Sequence, residues 1–501
     1  MHEAHEVLTH LARLRERAGR RQTRGLSDDE LRPFLSDPDL LAATREAVAA
    51  ASRLQGPEAE LMRADEADAI ARAQAGFLSF YADEAVQPYL TLAARGAWIV
   101  TLHGAAVLDC GGYGMLAFGH APAPVMEALS RPHPMANIMT PHLSQQRLQR
   151  ALRDEIGHTR EDGCPFGRFL CMNSGSEAMS VVARIVDIHT HHMTRADGPR
   201  AGARPVAISM ENSFHGRTLG PAAWSHSTLS TYRAHLQSFQ DRDSVWAVPA
   251  NDAEALAAAF ERARREDVFV QAVILEPVQG EGAPGRALQR GYYDRARELT
   301  RAHGALLVVD SIQAGLRAHG VLSIVDYPGF QDAAAPDMEC WSKAINAGQF
   351  PVSVLGLEAS AAARFVTGVY GNTMTTNPRG LEVVSTVLRM MTPEVRENIV
   401  RQGAAFRADL EALAQELPEV VEDVIGTGLL FSMELSPARC RVVGVGSAED
   451  ACRRRGVNVI HGGRNALRFT PSFRTGDEER RLVVRVLREV LTALRDRTEP
   501  G

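Results

Sequence analysis

Lysine is almost absent from this chain of 501 residues. Its 55 basic side chains comprise 54 arginines and one lysine, Lys343. Arginine can replace lysine wherever only a positive charge is needed, but its guanidinium stays protonated and cannot serve as an amine nucleophile. Lys343 is therefore a candidate for covalent amine chemistry, and the alternative is a single solvent-exposed lysine that survived by chance.

Other absences each exclude a class of protein. No apolar run reaches the length of a membrane span, and residues 1–20 lack the apolar core of a secretion signal. The net charge of −6 gives no broad electrostatic surface for nucleic acid or membrane. We therefore expect a cytoplasmic protein with reduced thiols and no metal site. No CxxC or other metal-ligand spacing occurs among the six cysteines, which are Cys110, Cys164, Cys171, Cys340, Cys440 and Cys452.

The length allows two or three domains. Residues 1–80 are helical in pattern and rich in Ala, Leu, Arg and Glu, which indicates an N-terminal extension packed on the body of the protein or on a partner subunit. Residues 136–390 alternate short apolar strands with amphipathic helices, the pattern of a mostly parallel α/β sheet covered by helices. Residues 81–135 and 391–501 are expected to form a smaller α+β domain.

Apolar runs and amphipathic stretches predict individual elements. The strand candidates of the large domain are Phe169–Met172, Pro205–Met210, Gln271–Glu276, Ala305–Asp310, Met338–Ser342 and Val352–Leu357. The helix candidates between them are 176–190, 253–265 and 291–303. The segments expected in the small domain are Val424–Leu435, Val457–Ile460 and Leu467–Phe473, followed by a helix at 477–496.

Three features around Lys343 point to one cofactor. Asp310 ends a predicted strand, at the edge where ligands collect in open α/β sheets, and Lys343 follows another strand. The turn at 173–177 (NSGSE) leads from a strand into a helix, whose first N–H groups favour a phosphate. Pyridoxal 5′-phosphate needs a phosphate cup, a carboxylate at the pyridine nitrogen and a lysine for its aldehyde. Each feature alone has an ordinary structural explanation, but the three in this order favour that cofactor.

Residues 95–480 resemble the class III aminotransferases of the fold-type I pyridoxal-phosphate enzymes, a group with ornithine, acetylornithine, lysine and 4-aminobutyrate transaminases. The motifs that carry the resemblance stand in family order: GHAPAPVMEAL (119–129), NSGSEA (173–178), SFHGRT (213–218), EPVQGEG (276–282), VVDSIQAG (308–315), SKA (342–344) and RFTP (468–471). The resemblance implies an aminotransferase with pyridoxal 5′-phosphate as its cofactor.

It also implies a role for each matching residue. Lys343 would form the Schiff base with the cofactor and move the proton at the reacting carbon, and Asp310 would pair with the pyridinium nitrogen. Gln313 would bond to the ring's phenolic oxygen. Three further residues match cofactor contacts, with Gly175 and Ser176 on the phosphate and Phe214 stacked on the ring. Thr373 matches a threonine that reaches the phosphate of the neighbouring subunit, which implies a homodimer with shared sites.

The substrates implied are an amino donor and a keto acid such as 2-oxoglutarate. In the family an arginine binds the acceptor's carboxylate and pairs with a glutamate when a terminal amine is bound; the matching residues are Arg468 and Glu281. Arg217 matches the residue that binds the far carboxylate of the substrate. Because 54 arginines are present, only their positions within motifs distinguish Arg217 and Arg468 from ordinary surface arginines.

Several positions depart from the family pattern. Ser311 stands where a glutamate usually follows the pyridine aspartate, Met179 replaces a common asparagine, and the arginine after Gly315 is displaced. None of these removes a cofactor contact. Two other readings stay open: a racemase, aminomutase or decarboxylase on the same scaffold, and a binding protein on a degenerate one. Transamination is favoured over racemisation, amino-group migration or decarboxylation because the chain retains Arg217, Glu281 and Arg468. The intact Lys343 argues against a binding protein on a degenerate scaffold.

Overall fold

The structure, a computed structural model, describes residues 2–81, 85, 87–111, 113–240 and 243–496. The chain divides into two compact units. The first unit combines Met1–Ala123 with Arg401–Gly501, and the second unit is Pro124–Val400. The predicted domain boundaries after residues 80, 135 and 390 stay predictions.

Helices and strands alternate through most of the described chain. The α-helices are α1 His2–Arg17, α2 Asp28–Leu31, α3 Pro38–Arg53, α4 Gly56–Arg63, α5 Glu66–Gln74, α6 Ala123–Ser130, α7 Leu143–Glu155, α8 Gly175–Thr194, α9 Leu219–Trp224, α10 Leu229–His235, α11 Ala253–Arg265, α12 Arg290–His303, α13 Ala359–Ala362, α14 Pro378–Met390, α15 Pro393–Glu416, α16 Ala448–Arg454 and α17 Asp477–Arg495. The strands are β1 Thr91–Arg95, β2 Trp98–Thr101, β3 Ala106–Asp109, β4 Arg168–Met172, β5 Arg204–Met210, β6 Val245–Val248, β7 Val268–Leu275, β8 Leu306–Asp310, β9 Met338–Trp341, β10 Ser353–Leu357, β11 Val421–Thr427, β12 Leu430–Leu435, β13 Val457–Asn458, β14 Ile460–Gly462 and β15 Ala466–Phe469.

The second unit contains a seven-stranded sheet in the order β4-β10-β9-β8-β7-β5-β6. Strands β9, β8, β7, β5 and β6 are parallel, and only β10 runs antiparallel to its neighbours β9 and β4. All six predicted strands of the large domain are confirmed within a few residues, as are the three predicted helices, which are α8, α11 and α12. The prediction of a mostly parallel sheet is therefore confirmed.

One hydrophobic core holds the helix α8 against this sheet. Val182 and Val186 of α8 pack with Val308 of β8 and Leu355 of β10, and all four side chains are buried. Complete burial of an aliphatic side chain of this size contributes about 1.5–3 kcal/mol to folding. This packing fixes the helix N-terminus and the strand ends that carry the site.

The sheet brings three strand ends to one edge. Strand β7 ends just before Glu276, β8 ends at Asp310, and β9 ends two residues before Lys343. These strands are adjacent and parallel, so their carboxyl ends lie together. Strand β4 is antiparallel to β10, which is antiparallel to β9, so β4 delivers the start of α8 to the same edge.

The first unit contains two four-stranded sheets, β1-β2-β3-β13 and β11-β12-β15-β14. The N-terminal helices pack within this unit: α3 contacts α1 and the strands β1 and β2. A buried tryptophan fastens them, because Trp98 Nε1 donates to Asp37 Oδ2 over 2.7 Å. No helix in the described ranges is both long and apolar enough to cross a membrane.

Candidate active site

A cavity of about 150 Å³ opens at the strand-end edge of the second unit. Seven residues predicted for the site line it: Gly175, Ser176, Phe214, Glu281, Asp310, Gln313 and Lys343. The sequence separates these residues by up to 168 positions, and the fold brings them around one cavity.

Lys343 lies two residues after the end of β9 and starts a short 3-10 helix, Lys343–Asn346. Its φ is 52°, in the left-handed region that non-glycine residues rarely adopt. Backbone strain of this kind clusters at functional sites because the surrounding structure must hold it. The Lys343 Nζ donates to the side-chain oxygen of Gln313, so the two residues predicted to act on one cofactor are already in contact.

Asp310 is buried at the end of β8 and accepts two hydrogen bonds. Its Oδ2 lies 2.8 Å from His215 Nδ1, and its Oδ1 accepts from the backbone N–H of Ile312 over 3.1 Å. An ionised carboxylate only accepts, so Nδ1 of His215 carries the proton in this pair. A carboxylate has about four lone-pair directions, which leaves Asp310 able to accept from a ligand as well.

Glu276 is a second buried carboxyl in the cavity wall. Its two oxygens accept from the backbone N–H groups of Phe214 and Gly280, each over 3.0 Å. Burial raises the pKa of Glu276 to about 7, and the nearby Asp310 adds to this effect while His215 opposes it. Glu276 thus ties the segment of Phe214 to the loop that carries Glu281.

The N-terminus of α8 forms the opposite end of the cavity. Ser174 caps this 20-residue helix by accepting from Glu177 N over 3.2 Å, and Gly175 and Ser176 form its first turn. Gly216, with φ 114°, approaches so closely that a Cβ there would lie 2.5 Å from Ser176 Oγ. The first N–H groups of a helix and its dipole favour a phosphate, and small residues let the phosphate approach.

These residues fit the cofactor that the resemblance implies. The side-chain nitrogen of Gln313 is buried and has no hydrogen-bond partner in the ranges that the structure describes, so it can donate to a ring oxygen. Gly280 leaves room beside Gln313, because a Cβ there would lie 2.4 Å from Gln313 Cγ. The cavity thus offers an amine at Lys343, a carboxylate at Asp310 and a phosphate end at α8.

The other three predicted residues do not line this cavity. Arg217 is exposed, and its guanidinium carbon lies 5.5 Å from the centroid of the Phe214 ring. Thr373 is exposed in the loop before α14. Arg468 belongs to the first unit, where it is buried on β15 with its guanidinium carbon 5.6 Å from the Tyr113 ring centroid.

Among the lining residues that were not assigned from the sequence are His215, Glu276 and Ile312. A signal was available for each. His215 lies inside SFHGRT, Glu276 begins EPVQGEG, and Ile312 stands between Asp310 and Gln313.

Comparison with known proteins identifies the family. Residues 80–491 match the family described as Aminotransferase class-III. An acetylornithine aminotransferase of Xanthomonas campestris pv. campestris is 32% identical over 313 residues, which cover 62% of this chain and 71% of that protein.

Solved structures show the same fold. An ornithine aminotransferase of Toxoplasma gondii ME49 superposes with a TM-score of 0.73 at 22% identity, over 88% of this chain and 99% of the other. An N-acetylornithine aminotransferase of Stenotrophomonas maltophilia K279a gives a TM-score of 0.64 at 24% identity, over 84% and 98% of the two chains. The predicted fold type I architecture is confirmed. Because the family match spans most of the sequence, this chain belongs to the class III aminotransferases and is a pyridoxal-phosphate-dependent aminotransferase.

Proposed function

We propose that this aminotransferase moves an amino group from an amine or ω-amino acid to a keto acid such as 2-oxoglutarate. The observation that carries the proposal is that Glu281 and Lys343 line the same cavity. In the proposed switch, Glu281 pairs with Arg468 while a terminal amine is bound, and Arg468 leaves this pair to bind the carboxylate on the reacting carbon of the keto acid. A donor whose reacting carbon carries no carboxylate leaves the pair intact. The similar proteins named acetylornithine and ornithine aminotransferases agree with a donor of this type.

Within the cavity each residue has one task. When bound, pyridoxal phosphate supplies the aldehyde that takes up the amino group and the ring that withdraws electrons from the reacting carbon. Lys343 moves the proton at that carbon with its Nζ, and Asp310 holds a proton on the ring nitrogen by accepting a hydrogen bond from it. His215 donates to Asp310 and so keeps the carboxylate oriented.

Two arginines serve the carboxylates of the substrates in this proposal. Arg468 takes the acceptor's carboxylate and Arg217 takes the distant carboxylate of an ω-amino acid. A guanidinium offers two parallel N–H donors to a carboxylate, which gives both affinity and orientation. The burial of Arg468 supports the first role, since a charge held away from water interacts more strongly with an anion.

A panel of amino donors tests the substrate class. The purified enzyme with pyridoxal phosphate is offered terminal amines, ω-amino acids and α-amino acids, each with 2-oxoglutarate and with pyruvate. We expect the highest kcat/KM for donors whose reacting carbon carries no carboxylate. Preference for α-amino acids as the first donor would contradict the proposal, and racemisation or decarboxylation without amino transfer would assign a different reaction.

We also propose a homodimer in which Thr373 completes the phosphate site of the partner subunit. Two hydrogen bonds connect the loop that carries Thr373 to α8. Tyr370 and Asn372 both donate to the Glu177 carboxylate in the first turn of that helix. Thr373 itself faces solvent. The arrangement leaves its hydroxyl available to a second chain.

Exposed apolar side chains near this loop support the dimer. Met135, Met139 and Leu143 are largely exposed, Met374 is half exposed, and Leu143 lines a cavity of about 740 Å³ between α7 and β4. A large exposed apolar patch usually marks a protein interface, and we propose that these side chains belong to one. A second copy of the chain is the occupant that the shared site requires.

We propose a cytoplasmic location from the state of the cysteines. All six cysteines are free thiols, which supports a reducing, cytoplasmic location. We propose no nucleic-acid or membrane partner, and the substrates are small molecules. Titration of the native and unfolded protein with a thiol reagent should give six thiols on unfolding.

A further inference from the structure

Glu339 is a buried glutamate that does not line the cavity. Glu339 lies in the middle of β9 and is 0% exposed. Its Oε1 accepts from Ser311 Oγ over 2.5 Å and from Ile324 N over 3.0 Å, and its Oε2 accepts from Ser323 Oγ over 2.5 Å. A carboxyl group in a strand core is costly unless hydrogen bonds compensate for the lost water. The residues on either side of it in β9, Met338 and Cys340, are buried and apolar.

Ser311 connects this carboxyl group to the cofactor-binding turn. It stands between Asp310 and Ile312, and Gln313 follows two positions later. The backbone N–H of Ser311 donates to Cys340 O over 3.0 Å, and Gly315 N donates to Ser311 O over 2.8 Å. Both the side chain and the backbone of Ser311 are therefore bonded to β9, the strand that ends just before Lys343.

The hydrogen bond between Ser311 and Glu339 explains why a serine fits at position 311. Position 311 usually carries a glutamate in the resembling family, so a carboxyl group beside the turn is expected there. Here the carboxyl group comes from Glu339 on the neighbouring strand, and Ser311 provides the hydroxyl that meets it. Val309 pairs with Glu339 in the sheet, and Ser311 follows Val309 by two residues. The Ser311 hydroxyl therefore reaches the Glu339 carboxyl group directly.

We propose that Glu339 is a positioning residue that, through Ser311, fixes the turn of Asp310 and Gln313 relative to Lys343. The inference rests on the proposed roles of Asp310 and Gln313. It adds that the spacing between the ring-binding carboxylate and the reacting amine is set by a buried hydrogen bond between β8 and β9. A misplacement of about 1 Å at a reacting group can cost about a hundredfold in rate.

The two serines provide a matched pair of variants. Ser311→Ala and Ser323→Ala each remove one hydroxyl from the same carboxyl group, but only Ser311 lies in the cofactor-binding turn. We expect both variants to lose a similar amount of thermal stability. We expect Ser311→Ala alone to bind pyridoxal phosphate at least about fivefold more weakly, and to lose at least about tenfold in kcat with a smaller change in KM.

Equilibrium titration with pyridoxal phosphate, followed by the absorbance of the bound cofactor, gives a readout that is independent of turnover. Equal effects of the two variants on cofactor affinity and kcat would overturn the inference. If Ser311→Ala does not fold, Ser311→Cys retains the side-chain volume with a weaker donor and serves the same comparison.

Asp310→Asn, measured in parallel, separates the two claims. If this variant keeps turnover, the proposed role of Asp310 is wrong and the positioning role falls with it. If it loses turnover while the two serine variants behave alike, only the positioning role is overturned.

Discussion

At the scale of single residues, Lys343 combines a compositional and a conformational peculiarity. It is the chain's one lysine, and its backbone is held at φ 52° beside Gln313. We predict that Lys343→Arg keeps the fold and the charge but abolishes turnover, because a guanidinium cannot act as the transferable amine. Melting temperature and turnover measured on one preparation check both parts. Turnover within about tenfold of wild type, only ~1.4 kcal/mol of barrier, would contradict the assignment.

Asp310 is expected to act on the ring rather than on cofactor affinity. Asp310→Asn should still bind pyridoxal phosphate but lose several orders of magnitude in kcat, because an amide does not hold the ring nitrogen protonated. Asp310→Asn also replaces the carboxylate that accepts the hydrogen bond from His215 by a neutral amide. His215→Asn therefore serves as a control, because it changes this hydrogen bond and leaves the Asp310 carboxylate in place. Turnover within about tenfold of wild type would mean that Asp310 has been misassigned.

Glu281 and Arg468 should be separable kinetically. Glu281→Gln should improve donors with a carboxylate on the reacting carbon, such as glutamate, relative to terminal amines, because Arg468 then has no competing carboxylate and stays available to the donor's own. Arg468→Ala should mainly slow the half-reaction with 2-oxoglutarate, by about tenfold to a hundredfold for a lost charge-assisted bond of roughly 1.5–3 kcal/mol. Single-turnover absorbance records each half-reaction. Equal slowing of both by Arg468→Ala, or an unchanged donor preference in Glu281→Gln, would refute the assigned roles.

At the scale of elements, the sequence predicts the strands of the second unit because buried parallel strands are continuous apolar runs. The run before Asp310 and the turn before α8 were sufficient to predict where β8 ends and where α8 begins. Strand β6 was not predicted, since only four residues, Val245–Val248, form it and one of them is exposed.

In the first unit, the pairing of strands could not be predicted from the sequence. The segment Val424–Leu435 is one apolar stretch in the sequence but forms most of a hairpin of β11 and β12, turning at Gly428 with φ 56°. The segment Val457–Ile460 contributes to two different sheets, β13 to one and β14 to the other. Which strands pair depends on contacts between distant segments, and periodicity does not encode them.

The same limit applies to the buried network at β9. Nothing in the local sequence around Glu339 distinguishes a buried glutamate from an exposed one, because its partners Ser311 and Ser323 lie 28 and 16 residues away. Sequence reasoning noted Ser311 only as a departure from the family. The structure supplies the reason for it.

Glu339 should also leave a signature in the pH dependence of stability. Burial raises the pKa of Glu339 from 4.5 to about 7, against the lowering effect of its hydrogen bonds from Ser311 and Ser323, and the nearby Asp326 raises it further. Between these two values the native state binds more protons than the unfolded state. Stability from the neutral group is thus complete below about pH 4.5 and is lost as the pH rises through about 7, by about 3 kcal/mol at most.

Glu339→Gln does not titrate, so the difference in unfolding free energy between the wild type and this variant should fall across that pH window. Urea unfolding at several pH values measures this difference. The neighbouring Tyr293 and Tyr327 have pKa values raised by burial and do not titrate there. A difference that is constant with pH, or that grows as the pH rises, would contradict the predicted pKa.

At the scale of the whole molecule, the shared site can be tested by mixing variants. Lys343→Arg and Thr373→Ala homodimers each carry one defect per site. In a mixed dimer with shared sites, one site combines an intact Lys343 with an intact Thr373 from the other subunit, so we expect activity at low cofactor concentration to recover. Thr376→Ala, in the same loop, is the control for the fold of that loop. An active monomer in solution, or a mixed dimer without recovery, would refute the shared site.

The central claim, that Lys343 carries the cofactor, is tested most directly by reductive trapping. The purified protein is saturated with pyridoxal phosphate, reduced with borohydride, digested and analysed by mass spectrometry. Because the chain has one lysine, a lysine-linked label can lie at only one position. We predict one reduced cofactor per chain on the peptide that contains Lys343, and none in Lys343→Arg. A chain that stays unlabelled, or a label found only on the N-terminal amine, would contradict the account.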